Sequence, residues 1–206
     1  MDPEFGIFES VFESPHGYLA LLDLHSADAA VAVEEVKACC HKVPDPCVDI
    51  CRLLEDRNWR PHLVAAVAVI VSGFQSATVK QLWSRLDSGS WVTPQIATTL
   101  FLVDPDFATQ AHIRLTAGCP VDPNQPPMDP LGRHSATGPA RTVERSAKCT
   151  AALLYLASML TPVPNWLQEV QASAEIQVLL AQDVDNASDI VDGWLRRIRE
   201  IIGPVH

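Results

Sequence analysis

Leu53-Leu54-Glu55-Asp56-Arg57-Asn58-Trp59, running into Leu63-Val64-Ala65-Ala66, decides how this chain is read. Its pattern returns 32 residues to either side without a gap. Leu54 coincides with Leu22 and Leu86, Glu55 with Asp23 and Asp87, and Asn58 with Ser26 and Ser90. Val64 falls with Ala32 and Ile96, Ala65 with Val33 and Ala97, and Ala68 with Val36 and Leu100. Upstream, Ile50 matches Tyr18 and Leu82 in kind. Self-similarity at such a period marks stacked supersecondary units, and such arrays work as surfaces more often than as pockets.

Each unit reads as two short helices. Asp45-Pro46 opens one toward Arg57, with Cys47, Ile50, Cys51 and Leu54 at i, i+3, i+4 and i+7. Arg60-Pro61 opens the next, with Leu63, Ala66, Val67 and Ile70 on one stripe and Ser72-Gly73 at its end. In the third copy the helices span 77–86 and 94–103, and Asp104-Pro105 starts a further one toward Leu115. In the first copy Ser14-Pro15 opens 18–24 and Ser26 caps 28–40. Asp45, Thr93 and Asp104 stand where a side-chain oxygen caps a helix, and proline in a first turn loses no hydrogen bond. Helices resume over 143–160 and 165–181, where Asn165-Trp166 echoes Asn58-Trp59 and Ser90-Trp91 as a degenerate fourth copy. Asn186-Ala187-Ser188-Asp189 reads as a capping box for a last helix with Ile190, Trp194, Leu195, Ile198 and Ile202 inward and Arg196, Arg197 and Arg199 outward. One wet and one dry face suit a capping helix.

The 206 residues are 48% hydrophobic and 19% charged, enough for a core and unlike a disordered chain. A net charge of -10 and a pI near 5.0 argue against non-specific nucleic-acid or anionic-membrane binding. They fit a protein partner with a basic surface. The longest apolar run, 63–71, is too short to span a bilayer. The acidic N-terminus lacks a secretory n-region, and Met1-Asp2-Pro3-Glu4-Phe5 reads as a vector-derived tag, so the native start lies outside this reading. Six cysteines make no disulfide framework, and a cytoplasmic location with reduced thiols is expected.

The two-helix unit and the string 53–66 resemble HEAT-like (armadillo-type) repeats of the short bacterial kind, well over 15–117 and weakly over 141–202. The resemblance implies an all-α, right-handed α-α solenoid of three to four helical hairpins with a C-terminal capping helix. Residues 6–117 would be the repeats, 118–140 a proline-rich loop, and 141–206 the degenerate repeat and cap. The arginine that follows the inter-helix turn in such repeats is replaced by Ala32, Val64 and Ile96, so apolar packing around Trp59 and Trp91 is expected in place of the polar ladder. The second helix of each pair typically lines the concave side. Carried over by position, the exposed strip is Gly17 and Ala20, Asp49 and Arg52, Gln81 and Ser84, with Lys80 and Arg85 nearby.

Cys39, Cys40, His41, Cys47 and Cys51 crowd into thirteen residues, and Cys47, Cys51 and His62 could complete a thiolate–imidazole zinc site. The spacing lacks a C-x₂-C pair, and Cys51 aligns with Leu19 and Trp83, which favours core packing. No nucleophile elbow, phosphate loop or His-Glu-x-x-His motif is present. His112 and Arg114 beside Asp104 and Asp106 follow no catalytic spacing, and Trp59, Trp91 and Trp166 read as inter-repeat core before a stacking platform.

Between 118 and 140, Gly118, Gly132, Gly138 and Pro120, Pro123, Pro126, Pro127, Pro130 and Pro139 oppose helix. Loops on rigid scaffolds often carry function, and this one offers Asp122, Asp129, Arg133 and His134. The expected role is a non-enzymatic protein-binding scaffold, of the immunity or adaptor type, without cofactor. Its contact set is Asp49, Arg52, Lys80, Gln81, Ser84, Arg85, Arg114 and those four loop residues. The competing expectations are a HEAT-like lyase or chaperone acting on a cofactor-bearing protein, and a metal-dependent sensor built on Cys39–Cys51.

Overall fold

The computed structural model of the protein describes residues 4–13, 17–117, 139–183 and 185–203, with backbone alone over 139–146. Among them are a 3-10 turn at Gly6–Phe8, twelve α-helices and no strand. The helices are α1 (Glu9–Glu13), α2 (Gly17–Asp23), α3 (Ala29–Cys40), α4 (Cys47–Glu55), α5 (Trp59–Ser72), α6 (Ser76–Ser88), α7 (Thr93–Val103), α8 (Phe107–Ala117), α9 (Pro139–Ser158), α10 (Leu167–Ala172), α11 (Ala174–Leu180) and α12 (Ala187–Ile202). None is long and apolar enough to cross a membrane.

Local chemistry explains most boundaries. Extended Asn58 caps α5, its Oδ1 accepting the Arg60 N–H at 3.1 Å. Gly73, at φ +81°, ends that helix with its N–H on the Val69 carbonyl. Asp45 and Asp104 accept the N–H two residues on, from Cys47 and Asp106, each at 2.9 Å. Thr93 does not cap. Its Oγ1 donates back to the Ser90 carbonyl at 2.6 Å and Val92 holds the cap position. The Asn186 box does not form either. Asn186 is left-handed without a side-chain cap bond, and Asp183 Oδ2 instead accepts the Ala187 N–H at 2.8 Å. The single helix expected over 165–181 is broken at Ser173, whose ψ of 132° is extended. Helix α9 begins at Pro139, inside the expected loop, which a first-turn proline permits.

Helices α3, α5, α7 and α9 lie side by side in that order. α4 and α6, packed on each other, cover α5 and α7. α2 and α12 also pack on α5 and α7 respectively. α5 is therefore ringed by α2, α3, α4 and α7, and every residue from Pro61 to Ile70 is buried. A helix apolar on all sides needs such enclosure. α7 is ringed likewise by α5, α6, α9 and α12, and its buried polar groups are satisfied. Thr98 and Thr99 donate to the Pro94 and Gln95 carbonyls, and Gln95 Nε2 to the Leu22 carbonyl at 2.9 Å.

Positions 32 residues apart share burial where helices enter this layer. Ala32, Val64 and Ile96 are all buried, as are Val33, Ala65 and Ala97, and Val36, Ala68 and Leu100. The first copy departs: Leu54 and Leu86 are buried but Leu22 only half so. α2 packs toward α5 and α12, and the 3-10 turn at Gly6–Phe8 takes the place beside α4. α12 lies across α7 and α9 and reaches α2, so it covers the face of the layer instead of sitting beyond its end. Trp194 fixes it there, Nε1 donating to the Leu21 carbonyl at 2.9 Å.

Candidate interaction surface

Helices α4 and α6 bring together five of the residues expected to contact a partner. On α4, Arg52 is exposed and Asp49 half-buried, their side chains 3.6 Å apart. On α6, Lys80 and Ser84 are exposed and Gln81 half-buried. Val48 stands among them at 68% exposure. The outward positions of α4 (48, 52 and 55) and of α6 (77, 80, 84) each follow a helical stripe. The turn before α1 rises against this surface, with Gly6 directly on the Asp49 carboxylate.

Other expected contacts lie elsewhere. Gly17 and Ala20 are buried, because α2 turns that side into the core. Arg85 is buried too, its Nη1 donating to the Asp56 carbonyl at 3.3 Å. Arg114 is held in place by Asp87, Nε and Nη2 donating at 2.7 and 2.9 Å, with its guanidinium 4.1 Å above the Trp83 ring. Asp122, Asp129, Arg133 and His134 lie outside the described residues.

Between the α4–α5 and α6–α7 turns sits a buried polar node. His62 is enclosed, with Nδ1 2.8 Å from Ser90 Oγ and Nε2 2.7 Å from the Asp56 carbonyl. A carbonyl only accepts, so Nε2 carries the proton and the Ser90 hydroxyl donates to Nδ1. Burial, then the nearby Arg85 charge, pushes the His62 pKa down to about 3, against a smaller upward pull from the Asp56 carbonyl. The pair has the connectivity of a nucleophile and its base, yet so weak a base inside a closed core activates nothing near neutral pH. The node ties the start of α5 to the α4–α5 and α6–α7 turns. Apolar packing of Trp59 on Trp91, 4.9 Å between centroids, accompanies a polar link instead of replacing it.

The zinc set does not assemble, because both His62 nitrogens are engaged within the core. Cys39 and Cys40 are buried and Cys47 and Cys51 half-buried, all as free thiols. Burial, with Cys47 beside it, pushes the Cys51 thiol up to about 11. Among the described residues no three His, Cys, Asp or Glu side chains come together to hold a metal. The acid–base cluster also dissolves into packing. Asp104 Oδ2 accepts the Trp83 indole N–H at 2.7 Å, and His112 stacks flat on Trp166 at 4.6 Å. Trp166 is thereby removed from the Trp59–Trp91 pair, of which Trp59 is buried and Trp91 is 38% exposed. No protein-family model, curated protein or solved structure matches the chain.

Proposed function

We propose that this protein is a non-enzymatic, HEAT-like helical scaffold that binds another protein through the outer faces of α4 and α6, as an adaptor or immunity protein does. The observation that supports it is the pair of adjacent exposed stripes on α4 and α6, mounted on α5 and α7, which are themselves enclosed. A surface held this way loses little conformational freedom on binding. Val48 supplies an apolar anchor, with Arg52, Lys80 and Gln81 around it to set orientation. The net charge of -10 selects a partner with a basic surface and speeds the encounter.

The test is recovery of a stoichiometric partner from source cells, followed by titration of the purified pair. The double variant Val48→Lys, Glu55→Lys, which sets like charge against a basic partner, is expected to weaken affinity at least about tenfold with the helical content unchanged. Unchanged affinity, or turnover of a small molecule with no partner recovered, overturns the reading.

A further inference from the structure

Cys47 and Cys51 stand one turn apart on α4, at i and i+4, and both reach solvent in part. Among the described residues the other thiols, Cys39, Cys40 and Cys149, are buried. Cys39 is also occupied, accepting from Lys42 Nζ at 3.4 Å with Ser10 Oγ 3.6 Å away. The helix holds Cys47 and Cys51 apart as free thiols. Residues at i and i+4 keep their Cβ atoms about 5–6 Å from each other, whereas a disulfide needs roughly 3.5–4.5 Å. The two side chains are still neighbours, since Cys47 lies directly beside the Cys51 thiol. A sulfur–sulfur bond is too short for this spacing, and one atom inserted between the sulfurs spans it.

We propose that Cys47 and Cys51 form a dithiol site for a monosubstituted trivalent arsenical, in which a single R–As centre bridges both sulfurs. Each thiol passes its proton to one arsenic-bound hydroxyl of R–As(OH)₂. Two As–S bonds replace two As–O bonds, two waters leave, and arsenic stays trivalent, so no oxidant or reductant enters. Three features select this centre among thiophilic ones. Trivalent arsenic holds two sulfurs at nearly a right angle, which suits adjacent thiols, whereas mercury(II) and copper(I) hold them on opposite sides. The arsenic product is neutral, whereas a cuprous bis-thiolate is an anion, and Asp45 and Glu55 both oppose negative charge at Cys51. Among the described residues no third His, Cys, Asp or Glu joins the pair, so the third position on arsenic belongs to R. The site needs no partner protein, so it stands or falls apart from the α4–α6 reading.

Titration of the whole chain with phenylarsine oxide, read by intact mass and by free-thiol count, tests this. One phenylarsenic per chain is expected, with two thiols lost. 1,2-Ethanedithiol should reverse the adduct, and an equal concentration of 2-mercaptoethanol should not. Cys47→Ala and Cys51→Ala should each weaken binding at least about hundredfold, because the second As–S bond is no longer intramolecular. Both sites are partly exposed and alanine favours helix, so the circular dichroism should stay that of wild type. Cys47→Ser and Cys51→Ser, closer in size, should bind as poorly as the alanine variants. Sodium arsenite should bind more weakly than phenylarsine oxide, and equal or tighter binding would place a third thiol in the site and overturn the two-thiol assignment. Absence of an adduct, its release by the monothiol, or affinity retained after loss of either cysteine overturns the proposal.

Discussion

His62 and Ser90 join the first turn of α5 to the α6–α7 turn through one buried hydrogen bond of 2.8 Å. The bond needs His62 neutral, and its surroundings enforce that. The folded pKa of about 3 lies below the ordinary 6.5, so between these values the unfolded chain binds a proton that the folded chain refuses. Stability from this group is complete above about pH 6.5 and declines by roughly 1.4 kcal/mol per pH unit as pH falls toward 3. Urea unfolding at pH 7.5 and pH 5.0 is the measurement. Wild type should lose about 2 kcal/mol more than His62→Gln across that interval, and parallel losses would show that His62 is not the titrating group.

Trp194 holds α12 to α2. Trp194→Phe keeps the ring but leaves the Leu21 carbonyl without its donor, at a cost of about 1–2 kcal/mol. Trp194→Ala also opens a cavity in a fully buried place and should cost about 3–5 kcal/mol. A Trp194→Phe midpoint in denaturant equal to that of wild type would refute the hydrogen bond's share, and equal midpoints for the two variants would refute the cavity's.

Arg114 pairs with Asp87 by two parallel hydrogen bonds while lying on Trp83. Lysine cannot reproduce the fork or the stacking. Arg114→Lys is expected to cost about 1 kcal/mol and Arg114→Ala about 2 kcal/mol. A double-mutant cycle with Asp87→Asn should return a coupling of about 1 kcal/mol, and a coupling near zero would rule the pair out as a stabilising contact.

Gly6 has φ +57° and lies directly against the Asp49 side chain. Gly6→Ala is expected to destabilise by about 1–3 kcal/mol through backbone strain and the clash together. Adding Asp49→Ala should restore the clash share only. Full recovery in the double variant would mean that the backbone conformation carries no strain.

The all-helical fold and its inward positions were legible because helical periodicity reports burial directly. Positions 32, 64 and 96, with 33, 65 and 97, are all inside. What surrounds those helices was not legible, since α2 and α12 choose their neighbours by contacts across the fold such as Gln95 to Leu22 and Trp194 to Leu21. Arg85 was misplaced because its charge outweighed its position on the inward stripe with Leu82 and Leu86. The Asp183 cap was missed because it reaches Ala187 from beyond the local capping pattern.

Helix α12 covers α7 and reaches α2, yet it is synthesised after both. On the ribosome the apolar surface of the central layer therefore stands bare until residues near 200 emerge. Closure joins segments more than 170 positions apart along the chain, a late and slow event by its topology. A chain stopped before α12 is thus a sticky nascent species, and chaperone dependence should fall away once that last helix docks.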